Sequence, residues 1–185
     1  FARACGAPAE EWSATWALGV LSGLTGDTIA TKGHIDEARR IAEQLHSPVM
    51  HLRVDEIELE YKNATGDWNS AVEQAAHSIA LARALEQRTL LPRLLVWTGI
   101  LSLGRGRIEE GKKYLDEAWE LAGAAHPDER SRDVHTLMRV YSGMAIYSLT
   151  VREFDEVIRY GSIGLSLAER SGYAPWAVHR LLPTI

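Results

Sequence analysis

One sentence of sequence is written four times along this chain, and that repetition constrains the fold more than any other feature. The clearest copy is "TGDWNSAVEQAAHSIALA", from Thr65 to Ala82: a tight turn, an aromatic residue, then a helix with small residues on one side. Close relatives of it are "KGHIDEARRIAEQL" from Lys32, "RGRIEEGKKYLDEAWEL" from Arg105 and "VREFDEVIRYGSIGLSLAE" from Val151. Turn residues are read at Gly33, Gly66, Gly106 and Arg152, which gives spacings of 33, 40 and 46 residues. A period in that range is the mark of a helical repeat array, in which each unit buries its apolar face on its neighbour.

Columns aligned on those turns define the helix faces. Two residues after the turn stand Ile35, Trp68, Ile108 and Phe154; three further on come Ala38, Ala71, Gly111 and Val157. Ala42, Ala75, Leu115 and Gly161 follow, then Leu45, Ser78, Ala118 and Gly164. Steps of three and four mark one face of an α-helix, and small residues there let another backbone approach closely. Before the turns runs a second stripe: Leu21, Val54, Leu94 and Val140, then Leu24, Ile57, Trp97 and Gly143, then Thr28, Tyr61, Leu101 and Tyr147. Each unit therefore reads as helix, short turn, helix. "ALEQRTLLPR" and "AGAAHPDERSRD" account for the longer units. Ser47–Pro48 reads as an N-cap with proline at the first helical position, and Pro92, Pro127 and Pro175 also fall near helix starts. Nothing alternates like a strand.

The pattern resembles the tetratricopeptide repeat, with "TGDW" and Ala71 closest, "KGHIDEA" and "RGRIEEG" next, and "VREFDEV" lacking both the glycine and the small residue. The resemblance implies an all-α, right-handed α-solenoid of antiparallel helix pairs, with about four repeats plus a partial one. Residues 1–185 are read as a single repeat domain, with repeats near 12–47, 48–88, 89–126 and 133–172 and a partial unit at 173–185. The stretches "RALEQRTLLPRLLVWTGILSLGRGRIEEGKKYLDEAWELAGA" and "SGYAPWAVHRLLP" carry a narrower likeness. They look like the helical-repeat region of large bacterial MalT-like and LuxR-type ATPase regulators, and of related proteins joining a cyclase or activator domain to an ATPase. In that family such a region receives an inducing signal. The chain begins at Phe1 and stops in "HRLLPTI", so it is expected to be a fragment.

Bulk chemistry narrows the partners. With 20 basic and 25 acidic residues the formal charge is −5, which argues against direct binding of nucleic acid or an anionic membrane. The longest apolar run, "WALGVLSGL", is nine residues, against about 20 for a membrane span. The lone Cys5 fits a reducing, cytoplasmic setting, and no signal peptide is legible.

Few residues suggest a site. Arg53, Arg93 and Arg139 each lie 13 residues before their turn. They are the candidate ligand- or peptide-binding residues, as a ladder facing an acidic peptide or anionic ligand. The plainer reading, and the preferred one, is that each flanks the buried stripe and packs its stem. Glu43 and His46 form a Glu-x-x-His pair, but its nearest companion, Glu73 with His77, has the wrong spacing for a di-iron set. "GRG" at Gly104 to Gly106 lacks the lysine of a phosphate loop. No catalytic residue, metal site or cofactor is implied. Trp68, Trp97 and Trp119 are expected in the core. "DEIELE" from Asp55 is read as a solvated helix face. Trp12, Trp16 and Val20 at one end, and Trp176, Val178, Leu181, Leu182 and Ile185 at the other, are expected to be open apolar ends through which the chain self-associates.

The function expected is a non-catalytic module that binds a protein, a peptide or a small effector within a bacterial signalling or transcriptional regulator. The alternatives are a stand-alone adaptor that scaffolds a complex and, behind it, a helical enzyme.

Overall fold

Helix boundaries follow local capping chemistry. Asp27 accepts the Ala30 N–H at 2.9 Å and starts α2 (Thr28–Gln44), which follows α1 (Pro8–Thr25). Ser47 accepts the Met50 N–H at 3.4 Å and opens α3 (Pro48–Thr65), with Pro48 in the first turn as its sequence suggested. Asp133 accepts the N–H groups of His135 and Thr136 and opens α7 (Val134–Thr150). The remaining helices are α4 (Trp68–Ala84), α5 (Leu90–Gly104), α6 (Ile108–Ala122) and α8 (Phe154–Ser171). The structure, a computed structural model, describes residues 7–126 and 133–172. Among them are eight helices and no strand. Pro127, Pro175, Cys5, the partial unit at 173–185 and the apolar residues from Trp176 to Ile185 lie outside the described residues.

The turns correct the repeat register. Gly26, Gly66, Gly106 and Arg152 have φ of 76°, 80°, 74° and 65°. At each, the following residue donates its N–H to a carbonyl five residues back: Asp27 to Ser22, Asp67 to Lys62, Arg107 to Ser102 and Glu153 to Ser148. This is one left-handed C-cap used four times. Gly33 is not a turn; it sits inside α2, exposed. The true spacings are 40, 40 and 46 residues, so "ALEQRTLLPR" does not lengthen its unit relative to the first. The correct parallel to "TGDW" is "TGDT" from Thr25.

The face of α2 survives this error because the slip is seven residues. Seven helical residues fall only about 20° short of two full turns. Realigned on Gly26, the three inward columns become Thr31, Ala71, Gly111 and Val157, then Ile35, Ala75, Leu115 and Gly161, then Ala38, Ser78, Ala118 and Gly164, all buried. The stripe of α1 does not survive. Leu21, placed in the buried column, is 58% exposed, and Leu18 is 50% exposed.

Two compact units are present, Phe1–Leu85 and Glu86–Ile185. In the first, α1 packs on α2, α2 on α3 and α3 on α4, and α1 also touches α3. A side chain added at Gly19 would meet His34, and one at Gly23 would meet Thr31. Rising numbers on α1 thus meet falling numbers on α2, an antiparallel pair. Trp12, Ile35, Ala38, Ile41, Ala42, Val54 and Ile57 form the core here. Trp16 and Val20 pack against it, and the Trp12 and Trp16 rings stack at 6.1 Å. Of the residues expected at an open end, Trp12 is buried, while Trp16 and Val20 are only partly buried against this core. In the second unit α5 pairs with α6 and α7 with α8, while α7 also packs on α5 and α6. A Cβ on Gly111 would stand 2.9 Å from the Gly99 carbonyl oxygen, so α5 and α6 cross almost backbone to backbone. Trp97 is buried, and Trp119 packs edge-on against Tyr141 and Tyr160 at 5.4 and 5.7 Å. Trp68 departs from its expected core position. As the first residue of α4 it folds back over the turn, exposed, and donates its indole N–H to the Asn63 carbonyl at 3.2 Å.

Candidate functional site

The three column arginines have different surroundings. The Arg53 guanidinium lies 5.8 Å from the centre of the Trp16 ring, and the Arg53 carbonyl accepts the Trp16 indole N–H at 3.1 Å. Arg139 is buried with its guanidinium 5.5 Å from the centre of Trp97. Arg93 donates from Nε to the Thr136 hydroxyl at 2.9 Å and from Nη2 to Asp133 at 2.9 Å, tying α5 to the N-cap of α7. Burial alone would raise the Asp133 pKa, but the hydrogen bonds from Thr136 and Arg93 outweigh it and hold the carboxyl below its ordinary range. Each arginine is thus engaged inside its own unit. Arg53 alone of the three is exposed.

A different set of side chains converges on a cavity. In the first unit α2 and α4 make no substantial contact with each other, and both rest on α3. Between them opens a cleft of about 690 Å³. Its floor is built from Asp55 and Glu58, three residues apart and therefore on one face of α3. From α2, Arg39 Nη2 donates to Asp55 Oδ1 at 2.9 Å and also to Glu58 Oε2. From α4, Gln74 Nε2 donates to Asp55 Oδ1 at 3.0 Å and to Glu58 Oε2 at 2.8 Å, and the Ser78 hydroxyl donates to Asp55 Oδ2 at 2.7 Å. Lys62 donates to Gln74 Oε1 at 2.6 Å and lies 3.8 Å from Glu58 Oε1. Burial works against the Arg39 charge, but Asp55 and Glu58 prevail and hold its pKa above the ordinary guanidinium value. The rim carries His46, His51, Glu73 and His77.

"DEIELE" is therefore not a solvated face: Asp55 and Glu56 are buried, at 7% and 2% exposure. The alternation of charge and aliphatic residues concealed a helix that is covered on two sides. The signal that was present is the spacing Asp55, Glu58, Lys62, which places two carboxylates and an ammonium on one stripe. The partners Arg39, Gln74 and Ser78 lie 16, 16 and 23 residues away from their carboxylates, so no local pattern names them. Of the Glu-x-x-His pair, His46 alone lines the cleft. Among the described residues no group of three or more His, Cys, Asp or Glu is placed to hold a metal ion. No described helix is long and apolar enough to cross a membrane.

Comparison with known proteins agrees on the architecture. No family model matches the chain. No curated protein matches it either. Among solved structures it is similar to aspartyl phosphate phosphatase F from Bacillus subtilis, with a TM-score of 0.65 and 14% sequence identity. That match covers 88% of this chain and 41% of that one, so the chain spans about two-fifths of its neighbour's length. The likeness is one of fold, a tetratricopeptide-like helical repeat.

Proposed function

We propose that this chain is a non-catalytic, tetratricopeptide-like interaction module that binds a peptide or a small effector. We place it in the cytoplasm, within a bacterial signalling or transcriptional regulator. The observation that carries the reading is the cleft over α3. It is large enough for several side chains and is lined by charged and polar groups on three helices. Its floor carboxylates are all engaged by Arg39, Gln74 and Ser78. Catalysis needs a nucleophile, acid or base free to change partners. A floor locked in this way suits recognition instead. The regulator context is supported by the likeness of the 83–124 and 171–183 stretches to regulator repeat regions.

The test is a peptide-display selection on the purified chain, repeated with His77→Trp, which plugs the cleft from an exposed position. Peptides enriched on the wild type and lost on the variant are expected. A chain that enriches none, or peptides indifferent to the variant, would remove the cleft as the interaction surface. For the regulator context the full gene product decides: a nucleotide-binding loop upstream and a helix-turn-helix segment downstream are expected, and their absence leaves the adaptor reading.

A further inference from the structure

From Trp12 to Gly26 the chain runs fifteen residues without a charge, although one side of α1 lies at the surface. The exposed side of α2 carries Asp36, Arg40 and Glu43, and that of α6 carries Glu109, Lys113, Asp116 and Glu120. The exposed side of α1 carries Ala14, Ala17, Leu18, Leu21 and Thr25. Steps of three and four put these on one stripe. An uncharged stripe that shows two leucines to water marks a contact surface.

The repeat register says what such a stripe touches. The caps at Gly26, Gly66 and Arg152 align Ala14, Ala17 and Leu21 with Val54, Ile57 and Tyr61 of α3, and with Val140, Gly143 and Tyr147 of α7. Val54 and Ile57 belong to the core that α3 shares with α1 and α2, and Tyr61 packs beside them. A Cβ at Gly143 would meet Leu115 of α6 and Val96 of α5. In both units a helix docks on other helices through this column. In α1 the same column is exposed.

Size along the stripe chooses the occupant. Its order is small, small, large, large: Ala14, Ala17, Leu18, Leu21. Reversed, that order is its own complement. An antiparallel helix of the same sequence lays its Leu21 over Ala14 and its Leu18 over Ala17, and its own alanines receive the facing leucines. A parallel copy would set leucine against leucine and leave voids between the alanines, which close packing disfavours. Antiparallel helices also bring the positive end of each macrodipole beside the negative end of the other, and the stripe holds no charge to repel its like. We infer that two copies of this chain pair through α1, antiparallel, about a two-fold axis between Ala17 and Leu18. The contact is isologous and uses none of the residues that line the cleft, so it stands apart from the cleft as a binding surface. The 18 residues of α1 span about 27 Å, and a stripe of that length about 10 Å wide falls well short of the roughly 800 Å² per partner of a standard interface. A dimer of micromolar affinity is therefore expected.

The experiment is sedimentation velocity on the full chain between about 1 and 200 μM, with a shift from monomer to dimer expected across that range. Leu18→Glu should weaken the dimer at least about tenfold, because it places two carboxylates at the axis. Leu149→Glu, on the exposed side of α7, should leave it unchanged. Ala17→Leu decides the geometry: it adds apolar surface, yet should also weaken the dimer about tenfold, because leucine then meets leucine. These positions are exposed, and circular-dichroism melts check that each variant is folded. In a Cys5→Ser background, Ala14→Cys mixed with Leu21→Cys should cross-link through a short bismaleimide, and Leu21→Cys alone should not. A chain that stays monomeric throughout overturns the inference, as does a dimer indifferent to Leu18→Glu. Tightening by Ala17→Leu, or cross-linking of Leu21→Cys to itself, overturns the antiparallel pairing.

Discussion

Alanine at position 33 should stabilise this protein, and alanine at position 111 should destabilise it, although both replace a glycine inside a helix. Gly33 is exposed in the middle of α2, and a Cβ built there meets nothing within 4 Å. Its backbone has no positive φ. Alanine then gains the whole difference in helix propensity, about 0.8–1 kcal/mol. At Gly111 the same methyl would lie 2.9 Å from the Gly99 carbonyl oxygen and 2.9 Å from Cγ and Cδ2 of Leu103. An ordinary contact needs roughly half an ångström more. Leu103 can turn aside, but the carbonyl belongs to the backbone of α5, so the two helices must separate. Overpacking of that kind costs about 1–3 kcal/mol. Taking the upper part of that range and crediting the propensity gain leaves a net loss of about 1–2 kcal/mol. For a chain of this size about 1 kcal/mol moves Tm by roughly 2–4 °C. Circular-dichroism melts of the two variants should therefore shift in opposite directions. A lower Tm for Gly33→Ala would refute the register, because it would mean that position 33 needs a conformation alanine resists.

Three further outcomes follow from the same geometry. Ala71 is fully buried on the inward face of α4, so Ala71→Leu should cost about 1–3 kcal/mol in a thermal melt, and an unchanged Tm would contradict the helix face. Arg152 holds φ of 65°, where a side chain costs about 1–2 kcal/mol, so Arg152→Gly should raise the urea midpoint rather than lower it. Asp133→Ala should cost about 1 kcal/mol through the lost N-cap. Because the folded Asp133 pKa is lowered, its stabilisation is full above the ordinary aspartate value of about 4 and fades as pH falls through the folded value. Asp133→Asn should correspondingly flatten the acid limb of the stability profile measured by urea titration.

Much of the fold was legible in the sequence because helical periodicity and turn chemistry act over a few residues. "TGDW", "RGRI" and "VREF" each locate a left-handed cap, and Ser47–Pro48 locates a helix start. Gly33 misled because glycine followed by an aliphatic and an acid is common to a turn and to a helix interior. A two-turn slip also preserves the buried face, so the columns gave no warning.

What only the tertiary structure decided is where polar groups go once helices pack. The sequence placed Arg53, Arg93 and Arg139 in one column, but their partners, Trp16, Asp133 and Trp97, lie on other helices at separations no local pattern encodes. Asp55 and Glu58 looked like surface charge and are the floor of a cleft. Their burial depends on Arg39, Gln74 and Ser78 arriving from both sides. A carboxylate leaves water only when donors replace its hydration, and those donors come from helices distant in the chain. Periodicity fixes which way a side chain faces along its own helix; which side chains it meets there is settled by packing.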